Sequence, residues 1–131
     1  VLPWEISASG SSRSGRGKFL VSPVSAITSS ANGTAVEIGA VPSGHSALAT
    51  LHCLARSGTA TLDVELESDE DADFDGSETT RIVFDQVSGV GAQFKSVAGP
   101  ITDTHWRAAM TVSGSGSLTV VIAVGVSLFA V

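Results

Sequence analysis

Tyrosine is absent from the 131 residues, aromatic residues make up only 5%, and cysteine occurs once, as Cys53. Antibody-like and sugar-stacking surfaces draw their rigid contact area from Tyr and Trp, so this composition argues against both. A lone cysteine excludes an intrachain disulfide, and its apolar neighbours mark it as a small buried hydrophobe. Basic residues are scarce too, seven against thirteen acids for a net charge of −6. Phosphate contacts need clustered Lys and Arg, so nucleic acid is not an expected partner of the folded body. The longest apolar run spans about fourteen residues, short of the roughly twenty a membrane helix requires, and no membrane partner is expected. Residues 1–6 include Pro3 and Glu5 and lack a charged leader, so no secretory signal is expected.

What is present is short alternating patterns separated by Gly, Ser, Pro and Asn. Leu62, Val64 and Leu66 alternate with Asp63, Glu65 and Glu67, which predicts a half-buried strand. Residues 81–87 and 92–98 repeat the pattern, and residues 46–56 read as a strand containing Leu48, Leu51 and Cys53. Ala31-Asn32-Gly33-Thr34 carries the signal of a hairpin turn. The C-terminal quarter, residues 104–131, reads as one long hairpin: Trp106, Ala108, Met110 and Val112 on one arm, a turn at 113–117, then a strand apolar on both faces. Eight or so strands at intervals of about ten to twelve residues predict an all-β fold, an antiparallel β-sandwich of jelly-roll or Ig-like type. The length suits one domain, assigned to residues 18–131, preceded by a flexible N-terminal arm over residues 1–17.

That arm is mostly Ser, Gly, Ala and Arg, and contains Trp4, Arg13 and Arg16, with Lys18 just beyond. A Trp beyond a flexible linker is wasteful to expose, so these four residues are the candidate partner-binding set. Nine of the thirteen acids and no base fall within residues 63–78. Asp71, Asp73, Asp75 and Gly76 begin like an EF-hand calcium loop, but Ile82 occupies the position of its bidentate Glu and no helices flank it. Asp71, Asp73 and Asp75 stay as metal-ligand candidates, with a solvated acidic tip as the preferred reading and no cofactor expected. His45, His52 and His105 show no zinc spacing with Cys53, and His52 and Cys53 face opposite ways on a strand. A triad of Asp103, His105 and a distant Ser has no supporting signature, and the chain is not expected to be an enzyme.

Ala60-Thr61-Leu62-Asp63-Val64, then Asp75-Gly76, then Phe84-Asp85-Gln86-Val87-Ser88-Gly89, then residues 106–112 with a glycine-rich turn and an apolar last strand follow one another in order. Over residues 48–126 this order resembles small β-sandwich proteins encoded among the structural genes of tailed bacteriophages. The resemblance implies a virion component without catalytic residues: a capsid decoration or cement protein on the outer head surface, bound to the major capsid protein or other virion proteins. A homo-oligomer, trimer or dimer, is expected with it. The alternative is a host-attachment or glycan-binding module on a tail or head fibre.

Overall fold

The computed structural model describes residues 15–22 and 26–130, with the side chains of Gly15 and Arg16 left aside. Nine strands run through them: β1 (Gly15–Val21), β2 (Ala31–Asn32), β3 (Val36–Glu37), β4 (Ser46–Gly58), β5 (Thr61–Asp69), β6 (Thr79–Val83), β7 (Gly91–Ala98), β8 (His105–Ser113) and β9 (Gly116–Ser127). They form two antiparallel sheets. Sheet A has the order β1-β9-β4-β7, and sheet B the order β2-β8-β5-β6 with β3 also on β8. Because β2 and β3 pair with the same side of β8, at Met110 and Ala109 and then at Trp106 and His105, they act as one interrupted strand. Counted that way the described residues form eight strands, wound in the order of a jelly roll, so the all-β sandwich expectation holds.

The C-terminal residues do not form the expected hairpin. β8 lies in sheet B and β9 in sheet A, and each pairs instead with the other long bent segment, β5 and β4. A glycine-rich turn signals that the chain changes direction, but not which strand it joins next. Here it bends from one sheet into the other beside a second bend, at 59–60. Gly58 faces Gly116 in sheet A, Thr61 faces Ser113 in sheet B, and Thr59 N–H donates to Ser115 O between them at 2.7 Å. The antiparallel register therefore passes through the corner unbroken.

Glycine is required at that corner. Gly58, Gly114 and Gly116 all have positive φ, and a Cβ on any of them would press into backbone of the opposite bend: Ser115 O, Thr59 O and Ser57 O respectively. The Asn32-Gly33 turn expectation also fails. Ala31 and Asn32 pair with β8, and Gly33 N–H donates to Ala108 O at 2.7 Å, so this Asn-Gly pair lies along an interrupted edge strand. β1 begins at Gly15, inside the expected arm, and Pro23 falls outside the described residues.

The core lies between the sheets. Leu51, Cys53, Leu118, Val120, Ile122 and Val124 of sheet A meet Leu62, Val64, Leu66, Trp106 and Ala108 of sheet B, all buried. Alternation correctly assigns Leu62, Val64 and Leu66 to the inside. β9, expected to be buried on both faces, is covered on one only: Val121 and Ala123 turn outward and stay half-exposed, because nothing in the described chain lies over sheet A.

Replacing Gly114 with Ala is expected to lower unfolding free energy by about 2–4 kcal/mol, from the positive φ and the contact with Thr59 O. Gly89→Ala, with open space around it, should change it by less than about 0.5 kcal/mol. Urea titration of both variants checks the contrast.

Candidate functional site

Two regions stand out, and their chemistry is opposite. The first is polar, where β5 ends and residues 70–78 cross to β6. Alternation carries Ser68 to the inward face, fully buried, where its hydroxyl donates to Asp103 Oδ2 at 2.6 Å. Arg81 closes the triangle, with Nε donating to Ser68 Oγ at 2.8 Å and Nη2 to Asp103 Oδ2 at 2.9 Å. The Ser68 hydrogen bond, aided by Arg81 and opposed by desolvation, holds the Asp103 carboxyl below its ordinary pKa. Asp69, only 2% exposed, accepts from Ser77 Oγ at 2.9 Å and from the Glu70 amide at 2.6 Å.

Arg107 faces outward from β8 between two acids, Glu67 at 2.8 Å and Glu78 at 3.3 Å. Its guanidinium stands 4.3 Å from the centroid of the Phe74 ring. Phe74 has φ of 49° and is buried, so the loop folds back onto sheet B at its middle as well as at its ends. The expected solvated tip is thus realised only in part. Asp71, Asp73 and Asp75 are exposed, but the loop that carries them is a clasp on the sheet.

These three acids do not converge. Asp71 Oδ1 accepts from the Asp73 amide at 2.9 Å, and among the described residues no group of three or more His, Cys, Asp or Glu side chains is placed to hold a metal ion. Asp103 and His105 have separate partners, since the His105 ring meets Thr104 Oγ1 at 3.0 Å. Asp103, just before β8, is instead the anion of a partly buried ion pair with Arg81. Elsewhere, an open depression of about 300 Å³ borders residues 86–93. Its Gln86 and Gln93 side chains are already bonded to Asp63 and to the Asp85 backbone.

The second region is the outward face of sheet A. Register places Phe19, Ala123, Thr50 and Phe94 in one row across all four strands. On either side of this row lie Leu48 and Gly125, then Val121, His52 and Ala92. Phe19 is 64% exposed and Phe94 55%. No Asp or Glu occurs in β1, β4, β7 or β9. The outward face of sheet B, by contrast, carries Asp63, Glu65 and Glu67. An antiparallel sheet with one solvated face normally alternates apolar inside with polar outside. Sheet B follows that rule and sheet A does not.

Of the candidate partner-binding residues, Trp4 and Arg13 lie outside the described residues. Arg16 stands on edge strand β1 opposite Val126, and Lys18 stands opposite the buried Val124. Sequence reasoning did not find the apolar face. Phe19, Thr50, Phe94 and Ala123 lie on four separate strands, and only the strand order brings them together.

No protein-family model matches the chain, and no curated protein matches it in sequence.

Asp103→Asn is expected to destabilise the protein at pH 7. A depressed folded-state pKa adds stability above the unfolded value near 3.8 and loses it as pH falls through the folded value. The gap between wild type and variant should therefore narrow below about pH 4, read by urea midpoints from pH 7 to pH 2. Arg107→Leu, which leaves Glu67 and Glu78 without their cation, should cost about 2–4 kcal/mol in the same assay at pH 7.

Proposed function

We propose that this protein is a structural virion component, a decoration protein that binds the outside of a phage head and reinforces it through contacts between proteins. The observation that carries the reading is the outward face of sheet A, largely apolar across four strands and, among the described residues, free of Asp, Glu, Lys and Arg. A soluble domain rarely leaves so continuous an apolar surface bare unless another macromolecule covers it. The polar clusters support the same reading, since Ser68, Arg81 and Asp103 bond one another, while Asp69 with Ser77 and Arg107 with Glu78 fasten a loop. The virion setting rests on the resemblance of the motif order to that of small phage β-sandwich proteins.

In this reading the N-terminal residues are the attachment arm. β1, which follows residues 1–14 in the chain, is an edge strand of sheet A. Trp4 is the anchoring side chain and the bases meet acidic neighbours on the shell.

Retention on expanded heads of the phage that encodes the chain tests this. Full-length protein should co-sediment with heads, and removing residues 1–14, which leaves β1 intact, should weaken retention about tenfold or more. No retention of the full-length chain would refute the decoration role, and unchanged retention of the truncated chain would remove the arm from it.

A further inference from the structure

We infer that the outward face of sheet A is a self-association surface, on which two copies of this chain pack face to face through Phe19, Thr50, Phe94 and Ala123. The inference rests on the reading of the protein as a contact module and names what covers its apolar face.

Charge favours a second copy in this geometry. A chain of net charge −6 repels its own kind wherever acids meet. All its acids within strands belong to sheet B, at Glu37, Asp63, Glu65, Glu67 and Asp69. Stacked sheets lie about 10 Å apart, so pairing through sheet A leaves the two acidic sheets on opposite exteriors roughly 30 Å apart. That separation is several times the Debye length of about 8 Å at physiological salt, and the repulsion is screened. Pairing through sheet B would set the acids against one another.

The edges of sheet A point the same way. Lys18 on β1 and Lys95 on β7 occupy positions opposite the buried Val124 and Ala49. A lysine on each outer strand, Lys18 exposed and Lys95 held by Asp85 at 3.0 Å, opposes strand addition by another chain, a device that keeps sheets from joining edge to edge. The edges are guarded while the face is open.

Shape adds a third argument. The row begins and ends in an aromatic ring, Phe19 on one edge strand and Phe94 on the other, with Ala123 and Thr50 between. Gly125 deepens the middle on the neighbouring row. Two ridges flanking a hollow are self-complementary when two copies meet with an offset, each seating a ring in the other's hollow. A two-fold axis makes both contacts equivalent and closes the assembly at two. His52 is the one titratable side chain among these positions.

The size of the face sets the strength. Four strands about 4.8 Å apart and six residues at about 3.4 Å give a face of roughly 20 by 20 Å, about 400 Å² on each copy. Stable complexes bury upward of about 600 Å² per partner, so the dimer should be weak and reversible, with Kd on the order of 10–100 µM.

Sedimentation equilibrium of the full chain from about 1 µM to about 1 mM tests the inference. A monomer–dimer equilibrium is expected, and Phe94→Glu and Phe19→Glu, one on each edge strand, should each raise Kd about tenfold or more. Val83→Glu, an exposed apolar position on sheet B, should leave Kd unchanged. Kd should also change little with added salt, because no charge pair crosses the face. Circular dichroism confirms that each variant is folded. A chain that stays monomeric throughout overturns the inference, as does a dimer indifferent to both Phe variants. Head retention of the same proteins reports separately on the decoration role, so a monomer that binds heads sinks self-association alone.

Discussion

Close backbone contact at one corner governs this fold. Two bent segments, β4 into β5 and β8 into β9, cross from sheet A to sheet B side by side, and their backbones meet where Gly58, Gly114 and Gly116 face Ser115, Thr59 and Ser57. Without side chains at those three positions, Thr59 can donate to Ser115 and the ladder continues around the bend. The long pairings β4 with β9 and β5 with β8 are then one continuous ribbon folded on itself. β1 and β7 add to its outer sides in sheet A, and β2, β3 and β6 add to it in sheet B.

Folding the ribbon assigns each face its chemistry. Inward positions on both halves are apolar and meet around Trp106, Leu51 and Leu62. Outward positions of β5 on the sheet B half are acidic, and one of them, Glu67, is stitched by Arg107 to the loop at 70–78, which bears five further acids. Outward positions on the sheet A half are mostly Val, Ala, Thr and Leu, with His52 and Gly125 among them. The protein is therefore polarised across its thickness, with a charged side suited to water and an apolar side suited to another protein. The proposed adhesive role rests on that polarity rather than on any single side chain.

Part of this was legible in the residues. The alternation of Leu62, Val64 and Leu66 with acids needs only the two-residue period of a strand, and the structure follows it. Strand partnership was not legible. The Ser113–Gly116 turn suggested that β8 and β9 pair, because turn chemistry reports a bend and is silent on whether the chain returns to the same sheet. Asn32-Gly33 misled for the same reason. The apolar continuity of β9 was visible, but it was taken for burial on two sides. One of those sides is the exposed face, which exists only once β1, β4 and β7 are set beside β9.

The central claim is that another protein surface covers the outward face of sheet A in the working state. Hydroxyl-radical footprinting of the protein bound in assembled particles measures this directly, with Phe19 and Phe94 as reporters and Val90, 73% exposed and off that face, as reference. The account predicts that both phenylalanines are protected in the particle relative to dilute free protein while Val90 still reacts. Oxidation of Phe19 and Phe94 in the particle as fast as in free protein would contradict it.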